Sequence, residues 1–309
     1  MSVPIVAIST SSFGKETSEQ IDRIRTAGFQ IRPNPHGRAL TTDEAKHHLT
    51  DVVGLIAGTE KLTADLLKEL PHLKVISRVG AGMDNVDIAA AKQLGIAVFN
   101  TPDSHVDAVA ELTIGGLLAM LRGIPASEAS IRAGSFSKPM GRLLRNSVVG
   151  LVGFGKVARA VARLLGPWNV KILAYDLNRD DNGAATVNAR FVELDDLLRQ
   201  SDIVSLHVPY SKSIHHLIGA SRLALLKPDA ILLNTARGGL IDENALHAHL
   251  QRNPKAGAYL DTFETEPYNG PLAKLHNVVL TAHIGSYARE ARVRMEREAV
   301  DNLLRVLGT

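Results

Sequence analysis

Parallel β-sheets covered by helices, arranged as two doubly wound α/β halves, are the architecture this sequence predicts. Two observations carry that expectation. Short β-branched runs alternate with amphipathic stretches from one end of the chain to the other, and repeated β-then-α order calls for a parallel sheet covered on both faces. A glycine-rich strand-to-helix turn around Gly153 then opens a second βα series in mid-chain, so the first hundred residues read as a separate domain. The length of 309 residues accommodates two such domains, each able to bury a core.

Taken in order, Ile5–Ile8, Val52–Ile56, Val75–Ile76 and Ala97–Phe99 read as strands, bounded by polar residues or glycine. Ser18–Ala27, Asp43–Leu49 and Ala64–Leu70 carry helical spacing between them. A long helix is predicted from Val106 to Leu121, with Asp103 and Ser104 as candidate N-caps. Residues 123–146 show no strand pattern and several glycines, prolines and basic residues. They form either an arm that contacts a partner subunit or a surface loop with one helix. The second series comprises strands at Val148–Val152, Val170–Tyr175, Ile203–His207, Ile231–Asn234, Gly257–Leu260 and Val278–Leu280, with a helix at Lys156–Leu165. Arg289–Leu307 is a closing helix.

Composition narrows the function. The chain is 45% apolar and 22% charged, a globular mixture. A net charge of +3 without a Lys/Arg block gives no nucleic-acid footprint, only weak attraction for small anions. With no cysteine, thiolate catalysis, disulfides and Cys-ligated metal sites are excluded. A cytoplasmic location is the expectation. The apolar segment Val3–Ser9 is short and follows no basic stretch, and Leu112–Leu121 is too short to span a bilayer, so neither a signal peptide nor a membrane partner is expected.

The segment Val148–Ala158 contains Gly153-Phe154-Gly155-Lys156-Val157-Ala158. This is a G-x-G-x-x-G/A turn that lets backbone approach a pyrophosphate at a helix N-terminus. Asp176 ends the next strand, where a carboxylate binds ribose hydroxyls and repels a 2′-phosphate, so NAD is the expected cofactor. Arg179 nearby would soften that preference. Three polar groups follow later strands: Arg237, the acidic pair Glu264 and Glu266, and His283. In an open sheet such strand ends line one crevice, and the space between two domains is a further natural ligand site. Histidine exchanges a proton near neutrality, a carboxylate orients it, and arginine forks onto a carboxylate. That set suits hydride transfer to and from C2 of a 2-keto or 2-hydroxy acid.

With these residues on view, the chain resembles the D-isomer-specific 2-hydroxyacid dehydrogenases, in particular their phosphoglycerate dehydrogenase-like branch. The resemblance runs through Ser77–Asp87, the mid-chain fingerprint, Leu206–Pro209, Asn234–Asp242, Asp261–Pro267 and Thr281–Gly285. It implies a Rossmann NAD domain, residues 101–286, inserted in a flavodoxin-like substrate domain, residues 1–100, completed by a C-terminal helix in residues 287–309. It implies that Arg237 binds and polarises substrate, that Glu266 pairs with the proton donor His283, and that Ala81 and Gly82 hold the substrate carboxylate. Ala81, Gly153, Gly155, Lys156, Val157, Asp176, Val208, Thr235, Ala236, Asp261 and Gly285 would touch the cofactor. It further implies a homodimer and closure about hinges near Asn100–Ser104 and His283–Ser286.

Ala282 replaces the family's usual proline, and Ala57-Gly58-Thr59 lacks the arginine with which some phosphoglycerate enzymes contact phosphate. Phosphoglycerate oxidation and glyoxylate or hydroxypyruvate reduction are the alternatives within the family; an NAD-sensing binding module is the alternative outside it. His215-His216 has no acidic cluster beside it in sequence, so no metal is expected, and His47-His48 reads as an exposed helix face.

Overall fold

The computed structural model describes residues 3–308. The chain up to His105 together with Ser286 onward forms one compact unit, and Val106–Gly285 forms the other. The first boundary falls at Val106 rather than at 101. Residues 101–105 still bond to the first unit: Thr101 exchanges two hydrogen bonds with Gly80, and the Ser104 hydroxyl donates to Glu298.

In the first unit, β1 (Ile5–Ile8), β2 (Gln30–Arg32), β3 (Val52–Ala57), β4 (Val75–Arg78) and β5 (Ala97–Phe99) form a parallel sheet in the order β2-β1-β3-β4-β5. Strand β2 escapes the sequence reading because its three residues at the sheet edge are exposed or half-buried and carry no apolar run. On one face, Met295, Ala299, Val300 and Leu303 of the helix Arg289–Leu307 pack against Ile56, Val75 and Val79. Gly54 makes room for them; a Cβ there would stand 3.1 Å from Leu303.

The second unit is a parallel sheet of β6 (Val148–Val152), β7 (Lys171–Tyr175), β8 (Ala189–Phe191), β9 (Ile203–Leu206), β10 (Ile231–Asn234), β11 (Gly257–Leu260) and β12 (Val278–Leu280), in the order β12-β11-β10-β9-β6-β7-β8. Strands β9, β10 and β11 are buried along their whole length, as a sheet covered on both faces requires. The helix Val106–Leu121 crosses one face with Gly116 against the Tyr259 ring, where a Cβ would come within 2.2 Å. That close approach, with the small Ala158 and Ala162 on the helix Lys156–Leu165, brings helices and sheet together. No single helix among the described residues is long and apolar enough to cross a membrane.

Residues 123–146 are one helix, Ile124–Arg132, followed by an irregular segment. Along it Phe136, Met140 and Leu143 are exposed by 77%, 98% and 73%.

Candidate active site

Three turns at the carboxyl end of the second sheet carry the catalytic candidates. After β10, the buried Asn234 side chain accepts the Ala236 N–H at 3.1 Å and donates to the Arg237 carbonyl at 2.7 Å. This amide fixes the turn and leaves Arg237 half-buried just beyond a buried strand. Gly238 then lies flat on the next turn, because a Cβ there would stand 1.9 Å from the Phe263 carbonyl oxygen.

After β11, Glu266 folds back so that its carboxylate accepts the Phe263 N–H at 3.1 Å. The turn after β12 is held by the fully buried Asp261 just past β11, whose carboxylate accepts the Thr281 hydroxyl at 2.5 Å, the Ile284 N–H at 2.9 Å and the Gly285 N–H at 2.8 Å. Between those anchors His283 is held at φ 53°, a left-handed conformation that side chains rarely adopt unless neighbours enforce it.

His283 Nδ1 lies 3.1 and 3.0 Å from the two Glu266 oxygens. An N–H at Nδ1 facing a carboxylate leaves Nε2 as the atom able to give or take a proton. Burial pushes the Glu266 carboxyl up, but the bond to His283 and its charge, the Phe263 N–H and the Arg237 charge outweigh it and hold it below its ordinary value. Arg237, Glu266 and His283, spread over 47 residues of sequence (283 − 237 + 1), thus share one electrostatic neighbourhood.

The cofactor candidates lie on the same sheet edge. Gly153 adopts φ 87°, and a Cβ on it would meet the His207 carbonyl at 2.7 Å and Val208 at 2.8 Å. A Cβ on Gly155 would meet nothing within 4 Å. Gly155 is the N-cap of the helix Lys156–Leu165 and supplies no capping side chain, so this helix N-terminus carries no side-chain cap. The buried Ala158 lets that helix approach the sheet.

Asp176 accepts the Phe154 N–H at 2.7 Å and the Asn178 N–H at 2.9 Å, which fixes its carboxylate at the end of β7. A glycine-lined opening on a helix N-terminus with a fixed carboxylate beside it fits a dinucleotide without a 2′-phosphate. Arg179 pairs with Glu193 at 2.7 Å and lies over the Phe191 ring. Replacing Asp176 by alanine is expected to lower the preference for NADH over NADPH in kcat/KM by about tenfold or more, since a hydrogen bond to a charged group contributes ~1.5–3 kcal/mol. An unchanged ratio would remove Asp176 from the ribose site.

Thr235 Oγ1 is bonded to Thr113 at 2.8 Å, so its side chain serves the core, and the Ala236 carbonyl accepts Arg237 Nη1 at 2.7 Å. In the first unit, Asn100 Nδ2 donates to the Ala81 carbonyl at 2.7 Å. Among the described residues the N–H groups of Ala81 and Gly82 have no hydrogen-bond partner.

His207 is bonded to Ser205 at 2.9 Å, and burial pushes it down to about 4. The neutral ring therefore favours the fold above an unfolded value of 6.5, and that stability is lost as pH falls from 6.5 through about 4. Urea titrations over that window should show a loss on the order of 3 kcal/mol that His207→Asn removes; an equal slope in the variant would count against this source.

His48 is buried rather than exposed, because its Nε2 reaches the Ile8 carbonyl at 3.1 Å. His216 does have acidic neighbours, contrary to the sequence reading: its Nε2 is 2.6 Å from Glu264, and Asp242 is 3.9 Å from Nδ1. Its ring stacks on His215 at 3.8 Å and 26°, and ligand atoms of His215, His216 and Glu264 lie within 4.8 Å of one another, close enough to hold a metal ion.

Sequence reasoning named Asp261 only as a cofactor neighbour and missed that Asn234, Thr281 and Asp261 hold these turns. Asn234 and Asp261 do so through hydrogen bonds to backbone and Thr281 through its bond to Asp261, and nothing in their spacing marks that work.

Residues 114–285 match the family described as "D-isomer specific 2-hydroxyacid dehydrogenase, NAD binding domain". A glyoxylate reductase of Thermofilum pendens is 45% identical over 258 residues, 81% of this chain and 76% of that protein. A hydroxypyruvate reductase of Thermotoga maritima is 37% identical over 276 residues, 87% of this chain and 89% of that protein. A D-3-phosphoglycerate dehydrogenase of Methanocaldococcus jannaschii is 36% identical over 274 residues, 87% of this chain but 52% of that longer protein. The crystal structure of the TT0316 protein from Thermus thermophilus superposes with a TM-score of 0.90 at 34% identity, covering 98% of this chain and 96% of that one. The chain belongs to the D-isomer specific 2-hydroxyacid dehydrogenase family and is an NAD-dependent oxidoreductase.

Proposed function

We propose that the chain reduces a short, unphosphorylated 2-keto acid of the glyoxylate or hydroxypyruvate kind with NADH. The observation that carries the reading is His283 Nδ1 held by both Glu266 oxygens beside the Arg237 charge. Relatives named glyoxylate reductase and hydroxypyruvate reductase support the substrate class.

When bound, the nicotinamide supplies the hydride to C2. The chain supplies the rest. Arg237 binds the keto acid through its planar fork and draws electron density to the oxygen at C2. His283 gives that oxygen a proton from Nε2, and Glu266 stabilises the charge state that donates it. The Ala81 and Gly82 N–H groups take the carboxylate, as paired backbone donors do for anions. Gly153 and Gly155, with Lys156 and Val157, receive the pyrophosphate, and Asp176 the ribose. Val208, Thr235, Ala236, Asp261 and Gly285 border the cofactor from the same sheet edge.

The test is NADH oxidation with glyoxylate, hydroxypyruvate, pyruvate, 2-ketobutyrate and phosphohydroxypyruvate. Highest kcat/KM with one of the first two is the expected result. Phosphohydroxypyruvate ranking first would replace this reading with the phosphoglycerate one, and bound NADH with no turnover would favour a cofactor-sensing module.

The same proposal includes a homodimer. Exposed Phe136, Met140 and Leu143 on one irregular arm form an apolar surface of the sort that marks an interaction site. Beside it lies a cavity of about 470 Å³ lined by Met120, Met140, Arg142, Lys255, His276 and Val278, which suits the arm of a second copy. Phe136→Asp with Met140→Asp should halve the mass in sedimentation. A native chain that already sediments as a monomer would end the proposal.

A further inference from the structure

The first sheet reverses its strand order between β1 and β3, and ligands of open α/β sheets gather beyond the strand carboxyl ends at such a point. A carboxyl group stands there that the proposed reaction does not use. Glu60, in the turn after β3, is 2% exposed. One of its oxygens accepts the Ser9 hydroxyl, just past β1, at 2.5 Å, and the other accepts the Gly58 N–H at 3.1 Å.

Its main chain reaches in the opposite direction. The Glu60 carbonyl accepts Asn85 Nδ2 at 2.7 Å, and Asn85 Oδ1 accepts Arg78 Nε at 3.4 Å. Two residues on, Leu62 donates to the Asn85 carbonyl at 2.8 Å and accepts the Asp87 N–H at 2.9 Å. The turn bearing Glu60 is therefore bonded to Ser9 just past β1 on one side and to Asn85 and Asp87, at the far end of the Arg78–Asp87 loop, on the other, and Asn85 in turn holds Arg78 at the near end. At the middle of that loop are the unpartnered N–H groups of Ala81 and Gly82.

Burial pushes the Glu60 carboxyl up, and Ser9, backbone N–H groups and the Arg78 charge only partly oppose that. Burying such a group is costly unless its bonds are used. An apolar side chain would fill the space but could not fix two strand ends in register.

We propose that Glu60 is the positioning residue of the substrate-carboxylate turn, setting the Ala81 and Gly82 N–H groups through the Gly58–Leu62 and Asn85 contacts. This rests on the reading of Ala81 and Gly82 as the carboxylate site. Glutamine can replace it, because its oxygen can accept the Gly58 N–H and its amide can donate to Ser9, whose own hydrogen then turns to the Ile56 carbonyl 3.3 Å away.

The experiment compares wild type, Glu60→Ala, Glu60→Gln and Ser9→Ala in NADH oxidation with glyoxylate, in NADH affinity, and in affinity of the NADH complex for oxamate, a carboxylate analogue that needs no turnover. Glu60→Ala is expected to raise KM and the oxamate Kd by about tenfold or more, with kcat and NADH affinity within about threefold. Glu60→Gln should stay close to wild type and Ser9→Ala should fall between. A structural role alone would lower NADH affinity, kcat and oxamate binding together, and that result overturns the proposal. So does an unchanged oxamate Kd in Glu60→Ala, or, if that variant does not fold, an unchanged Kd in Ser9→Ala. Wild type that turns over glyoxylate while Glu60→Ala keeps its KM defeats this inference alone; wild type that binds no oxamate and turns over no keto acid defeats the proposed function with it.

Discussion

Alanine in place of His283 is expected to lower kcat for keto-acid reduction by about 10³-fold, within the range that a positioned acid or base contributes. NADH affinity should change little, because the fingerprint glycines and Asp176 lie on other strands. The companion variant Glu266→Gln keeps the shape of the pair but not its charge. An amide can still accept from Nδ1, yet it stabilises an imidazolium far less, so a fall of about 10–100-fold is expected, intermediate between wild type and His283→Ala. Single-turnover mixing of enzyme, NADH and glyoxylate measures the step directly. His283→Ala with wild-type turnover would end its assignment as proton donor.

Gly238→Ala is the second large expectation, and it acts without touching a charged group. The new methyl would stand 1.9 Å from the Phe263 carbonyl oxygen and 2.0 Å from its carbon, both backbone atoms that cannot rotate away. Either the Arg237 turn or the Phe263–Glu266 turn must move. Overpacking of this kind costs about 1–3 kcal/mol of stability, and a shift of roughly 1 Å at a positioning element can cost about 10²-fold in rate. The variant should therefore melt lower and lose about 10²-fold in kcat/KM. Serine there should behave like alanine. A fully active Gly238→Ala with unchanged Tm would mean that the two turns do not constrain each other.

Period and composition made most of this fold legible. The buried strands β9, β10 and β11 are mostly apolar, with Ser205 and Asn234 as polar members, and the helices Val106–Leu121 and Arg289–Leu307 are long enough for their spacing to speak. Short edge elements such as Gln30–Arg32 were illegible because exposed residues carry no alternation. The reactive groups were legible by type and by position after strands. Their support was not. Nothing in the sequence near residue 60 says that one carboxyl will be sealed between Ser9 and Gly58, since that depends on which strands become neighbours. His48 failed for the same reason: a helical period locates a face, but not the Ile8 carbonyl that meets it.

The division of the chain has a consequence for its biosynthesis. Strands β1 to β5 leave the ribosome before any of Val106–Gly285, yet the helix that packs on Ile56, Val75 and Val79 is made only after all of it. Until then one apolar face of that sheet has only part of its native cover, from Ile24 and Phe29, while Val106–Gly285 is a continuous stretch able to fold as soon as it emerges. The first unit is thus closed only after the second has been made. Its vulnerable interval is the wait of the opening strands for residues 289–307, the period in which a chaperone would have an apolar face to hold.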